Sequence, residues 1–178
     1  MNTVSTNGEP MIALFEDKLT NEEKTIEHWI DKIDSNPKDA TSYVNLGNCY
    51  SIQGDNDYAV KAYQKAIEID HTLLEAYFNL GVCLSNKGEL EKAKEFFLKT
   101  IELEPKNSYA YNNLGNLHLR KKEIKEAIKC YKKAIEFNNK NKHAYFNICL
   151  AYQEIGKVKK AVDSFRMFCE LDGFYEGL

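Results

Sequence analysis

Apolar and polar positions along this chain return in phase every 34 residues, with Leu46-Gly47, Leu80-Gly81, Leu114-Gly115 and Ile148-Cys149 marking successive copies. Within each copy the apolar residues fall at i, i+3, i+4 and i+7, the spacing of one helical stripe. The stripes are Tyr43, Leu46, Gly47 and Tyr50; Tyr77, Leu80, Gly81 and Leu84; Tyr111, Leu114, Gly115 and His118; and Tyr145, Ile148, Cys149 and Tyr152. A second helix follows a turn at Gly54, Gly88, Lys122 or Gly156. Its buried stripe is Ala59-Tyr63-Ala66, Ala93-Phe97-Thr100, Ala127-Tyr131-Ala134 or Ala161-Phe165-Phe168. Gly and Ala let two helix backbones approach closely, and the aromatic fills the hole between adjacent hairpins. No stretch alternates as a strand would.

The punctuation matches this reading. Asp39, Asn107 and Asn141 stand where a side-chain oxygen caps the orphan amides of the next first helix, and Pro37 and Pro105 stop the helices before them. Thr72 is the one capping candidate before the second copy. The expected organisation is an N-terminal arm over 1–20, a packing helix over 21–35, four units over 40–73, 74–107, 108–141 and 142–173, and a tail over 174–178.

Tyr43-x-x-Leu46-Gly47-x-x-Tyr50 followed by Ala59-x-x-x-Tyr63-x-x-Ala66, with three further copies, resembles the tetratricopeptide repeat family. The resemblance covers residues 40–173, with a degenerate second helix before it around 22–33. It implies an all-α fold, a right-handed α-α superhelical solenoid of stacked helical hairpins, in which each hairpin buries its apolar face only against its neighbours. Departures are local: Lys122 replaces a turn glycine, Cys149 a packing glycine and Phe168 a small alanine.

Charge changes this picture little. The net charge of −3 conceals eight acidic residues against three lysines in 1–35 and eight basic residues against three acidic ones in 108–141. Lys121, Lys122, Lys125, Lys129, Lys132 and Lys133 read as the solvated outer face of one hairpin. The basic stripe does not extend into neighbouring units and no aromatic interleaves with it, which argues against a nucleic-acid partner. Five cysteines, of which Cys49, Cys83 and Cys149 occupy interior slots, read as reduced thiols. No stretch approaches the roughly 20 apolar residues of a membrane span. A cytoplasmic protein without a membrane partner is expected.

Chemistry needs convergent polar groups, and here they scatter. His118 takes a packing slot, His71 replaces a turn proline, and no Cys or His pair has zinc spacing. Glu89, Glu91 and Glu95 face outward at helical spacing. The expectation is no enzyme, no catalytic residue, no metal and no cofactor.

Function therefore belongs on a surface, and the family resemblance implies peptide binding along the concave side lined by the first helices. One step round from the packing stripe lie Asn45, Asn48, Phe78, Asn79, Val82, Asn112, Asn113, Asn116, Phe146, Asn147 and Leu150, the candidate groove residues. Thr41, Val44, Ile52, Glu75, Tyr109, Arg120, His143 and Glu154 complete the lining. Asn45, Asn79, Asn113 and Asn147 recur at the repeat period, and an amide that donates and accepts suits an extended peptide backbone. Such ladders resemble those of the repeat domain in glycosyltransferases that recognise protein substrates; the same asparagines also suit bonds within the stack. At about 0.5–1.5 kcal/mol net each, four amide bonds fall short of the roughly 8 kcal/mol of a micromolar complex. Phe78, Val82, Phe146 and Leu150 would supply the rest.

The resemblance includes members that clamp the acidic tail of heat-shock chaperones with lysine, asparagine and arginine. Val44, Tyr109 and Asn113 fill the clamp slots here, and Phe78, His143 and Asn147 those of the next register, so chaperone C-terminal tails are not expected partners. The predicted role is a non-enzymatic protein-interaction adaptor that holds an extended or helical segment, with Asn79, Asn113 and Phe78 as anchors. The competing role is a self-associating scaffold. Its contacts would come from the apolar arm Met11-Ile12-Ala13-Leu14-Phe15 or from a homodimer through the last hairpin, whose helix exposes Met167, Phe168 and Cys169. Seven residues follow Leu171, too few for the extra covering helix such stacks carry, so Phe174, Tyr175 and Leu178 are expected either to fold back over that face or to leave it to a second copy.

Overall fold

The computed structural model describes residues 25–173; the N-terminal arm and the C-terminal tail lie outside the described residues. Among those described there are nine helices and no strand. They fall into two compact units, 25–105 and 106–173.

The first unit contains α1 (Ile26–Ser35), α2 (Ala40–Gln53), α3 (Asn56–Ile69), α4 (Leu74–Asn86) and α5 (Leu90–Leu103). Helices α2 and α3 form one hairpin, α4 and α5 the next, and α4 packs on α3. Helix α1 covers the open side of the first hairpin, seating Trp29 against Leu46, Cys49 and Ala62. The second unit contains α6 (Ser108–Arg120), α7 (Ile124–Phe137), α8 (Lys142–Glu154) and α9 (Val158–Leu171). Its core joins Ala127 and Tyr131 of α7 to Ile148, Cys149, Ala151 and Tyr152 of α8 and Ala161 of α9.

The glycine in the first helix exists for the aromatic of the second. A Cβ on Gly47 would lie 2.6 Å from the Tyr63 ring, one on Gly81 2.8 Å from Phe97, and one on Gly115 2.4 Å from Tyr131. All three rings have no exposed surface, and each such burial contributes about 1.5–3 kcal/mol.

Side chains cap three of the first helices. Asp39 accepts from the Thr41 amide at 3.1 Å, Asn107 from Ala110 at 2.8 Å and Asn141 from Ala144 at 3.1 Å. Thr72 does not cap α4. Its amide and hydroxyl both donate to Asp70 Oδ1, at 2.8 and 2.7 Å, and Leu73 holds the cap position without a side-chain bond. The turn between hairpin helices is left-handed each time, at Gly54, Gly88, Lys122 and Gly156, and Lys122 holds φ 63° despite its side chain.

The end of α9 corrects two sequence expectations. Cys169 is buried, and Phe165, expected in the buried stripe, is 48% exposed. The exposed apolar stripe is Val158, Val162 and Phe165, with Met167 at its edge.

Candidate functional site

The first helices of each unit lie side by side, α2 with α4 and α6 with α8. Asparagines join them. Asn79 Nδ2 on α4 donates to Asn48 Oδ1 on α2 at 3.0 Å, and Asn147 Nδ2 on α8 donates to Asn112 Oδ1 on α6 at the same distance. Asn48 is the fuller node. Its Oδ1 also accepts the Tyr63 hydroxyl at 2.8 Å, and its Nδ2 donates to Glu75 Oε1 at 3.1 Å. In the second unit Tyr131 donates its hydroxyl to Asn116 Oδ1 at 2.8 Å.

Burial governs the electrostatics of this layer. It pushes the Tyr63 and Tyr131 hydroxyls well above the ordinary phenol range, so both stay protonated donors. Burial also raises the Glu75 carboxyl, and the bond from Asn48 offsets only part of that rise. The thiols of Cys49, Cys83 and Cys149 are raised by burial as well, which makes them poor nucleophiles. Among the described residues no group of three or more His, Cys, Asp or Glu side chains converges as a metal site would. No helix among them is long and apolar enough to cross a membrane.

This arrangement of hairpins, close-packed glycines and repeating aromatics can be compared with known proteins. A model of the tetratricopeptide repeat matches residues 40–73, 74–107 and 108–141, three consecutive copies that span more than half of the chain. The chain belongs to the tetratricopeptide repeat family. Solved structures share its fold. MamA is 23% identical, with 100% of both chains covered and a TM-score of 0.75. PilF of Pseudomonas aeruginosa is 18% identical over 90% of this chain and 72% of its own, with a TM-score of 0.78. YrrB, described as a TPR protein with an unusual peptide-binding site, is 25% identical over 85% of this chain and 78% of its own, with a TM-score of 0.69. No curated protein matches the chain in sequence.

The candidate groove residues of this tetratricopeptide repeat protein separate into two sets. Phe78, Asn79 and Asn112 have no exposed surface, and Asn48, Val82, Asn113 and Asn147 are buried. Asn113 turns back on its own helix, donating Nδ2 to the Tyr109 carbonyl at 3.0 Å. Of the three expected anchors, Asn79 and Phe78 thus have no exposed surface and Asn113 is buried with 7% exposed. Asn45, Asn116, Phe146 and Leu150 remain partly exposed, as do Glu75 and Tyr109. Phe146 and Leu150 line a groove at the end of the last hairpin together with Val162 and Phe165.

The lysines of α7 and of the turn before it are engaged or solvated. Lys129 pairs with Glu126 at 2.8 Å, Lys122 with Glu154 at 3.3 Å, and Lys133 lies over the Tyr111 ring at 5.1 Å. His118 Nδ1 meets Glu123 Oε2 at 2.5 Å across the turn, which accounts for a histidine in a packing slot. The Tyr63–Asn48 and Tyr131–Asn116 bonds were missed by reading each helix alone, although a constant spacing of fifteen residues carries the signal.

Proposed function

We propose that this chain is a non-enzymatic protein-interaction adaptor whose paired first helices hold an extended or helical segment of a partner protein. The observation that carries this reading is the buried amide staple, Asn79 to Asn48 in one unit and Asn147 to Asn112 in the other. A staple at equal length in both units makes the two first helices a firm surface, and firmness reduces the ordering cost of binding. Specificity then falls to partly exposed residues that differ between copies: Asn45 and Glu75 in one unit, Tyr109, Asn116 and Phe146 in the other. The buried asparagines support the surface and contact no ligand.

All five cysteines are thiols, which agrees with a cytoplasmic setting. The test is selection of a displayed random-peptide library against the full chain, followed by calorimetric titration of the enriched peptide. Tyr109→Ala and Phe146→Ala should each weaken that peptide about tenfold, a loss of about 1.4 kcal/mol, with the helical circular dichroism unchanged. Equal affinity for the double variant and the wild type would overturn the assignment.

A further inference from the structure

Glu75 is the one aspartate, glutamate, lysine or arginine on α2 and α4, in a chain of which 29% is charged. The same slot in the other copies holds Thr41, Tyr109 and His143. Its charge is also uncompensated. Asn48 Nδ2 donates to Oε1 at 3.1 Å, while among the described residues Oε2 has no partner and no basic side chain pairs with the carboxylate. Glu75 is only part buried, so an occupant of the first-helix surface can reach it.

The bonds around this carboxylate hold it in place. Asn48 Oδ1 accepts from Tyr63 and from Asn79, at 2.8 and 3.0 Å, which fixes the amide so that its Nδ2 faces Glu75. Asn79, with no exposed surface, adds a second acceptor without a partner, its own Oδ1. Two acceptors thus stand unpaired in one cluster, and one of them is ionised. The group that suits such a cluster is a donor bearing positive charge. A place in the first turn of α4 favours a carboxylate by about 0.3–1 kcal/mol. Burial outweighs that effect, because the carboxyl stands above its ordinary value. A cation against Oε2 would remove this burden.

We propose, on the basis of the adaptor role, that Glu75 anchors a basic side chain of the partner segment, the ammonium of a lysine or the guanidinium of an arginine. Asn48 is its positioning residue, holding Oε1 and leaving Oε2 for the incoming donor. Ile52, one turn beyond Asn48 on the same helix face and 54% exposed, offers apolar surface to the methylene stem of that side chain. Tyr109 and His143 carry no fixed negative charge, so the second unit has no equivalent anchor in that slot.

The test starts from peptides enriched on the full chain from a displayed random library. They should share a lysine or arginine, and replacing it with norleucine or citrulline should weaken binding about tenfold. Glu75→Gln keeps an acceptor for Asn48, so helical circular dichroism should be unchanged. It should lose the same factor for the parent peptide and nothing more for the neutral one. In carbon-13 spectra the Glu75 carboxyl should titrate at lower pH with the parent peptide bound, since a neighbouring cation favours the ionised form. Enriched peptides without a basic residue, or equal affinity of the parent peptide for Glu75→Gln and wild type, would overturn the proposal. If such peptides still weaken with Tyr109→Ala or Phe146→Ala, the adaptor role stands and only the basic anchor falls. If they respond to none of these variants, both fall.

Discussion

Tyr63 donates its hydroxyl to Asn48 Oδ1 at 2.8 Å, from the middle of the second helix of a hairpin to the first helix fifteen residues earlier. Tyr131 and Asn116 repeat the bond at the same separation. The other two hairpins place Phe97 fifteen residues after Val82 and Phe165 fifteen after Leu150. Where the ring carries a hydroxyl the partner accepts it, and where it does not the partner is apolar. A buried hydroxyl without an acceptor would cost about 1–3 kcal/mol, which gives the pairing its physical reason.

This pairing is testable as a coupled unit. Tyr131→Phe should destabilise the chain by about 1 kcal/mol, and Asn116→Val by more, since it strands the Tyr131 hydroxyl. The double variant, which copies Phe97 and Val82, should be more stable than the sum of the singles by about 0.5–1.5 kcal/mol. Urea denaturation of the four proteins measures it.

The packing glycines should be intolerant for a steric reason. Gly115→Ala sets a Cβ 2.4 Å from the Tyr131 ring, and a closed core makes that overpacking cost about 1–3 kcal/mol. Gly54→Ala meets nothing within 4 Å but keeps φ 86°, so its cost is conformational, about 1 kcal/mol. Melting temperatures should separate the two, with Gly115→Ala the lower.

Lys122 occupies a backbone conformation that the other three turns give to glycine. Its ion pair with Glu154, at 3.3 Å between exposed groups, contributes little. Lys122→Gly should therefore stabilise the chain by about 0.5–1 kcal/mol, visible as a higher melting temperature.

Glu75 gives a pH-dependent prediction. Burial raises its folded carboxyl above the ordinary value, so the folded state holds this proton more tightly than the unfolded state does. Its contribution is fully favourable below about pH 4, the ordinary carboxylate range, and declines as pH rises through that range to the raised folded value. Glu75→Gln retains an acceptor for Asn48 and removes the decline. It should match the wild type in acid and exceed it at pH 7, as measured by denaturation at each pH.

Much of the candidate site was legible in one dimension and some was not. The Asn45, Asn79, Asn113 and Asn147 row is a true period of the chain, yet its members have different surroundings. Asn79 finds Asn48 on the adjacent helix, Asn147 finds Asn112, Asn113 bonds its own helix, and Asn45 stays partly exposed. A repeat period assigns a residue to a face, and the residue opposite comes from another copy with a different side chain.

The sequence by itself determined the hairpins, because helical spacing, capping residues and the glycine-aromatic match act within one copy or between the two helices of one hairpin. Tertiary structure decided which polar groups are already bonded and which apolar ones are left open. Asn79 and Phe165 both occupy repeating slots; the first is enclosed by its neighbours, and the second is half exposed because the first helix of a further hairpin, which would cover it, is lacking among the described residues. Burial is a property of what packs against a residue, and no residue carries that information in its own type.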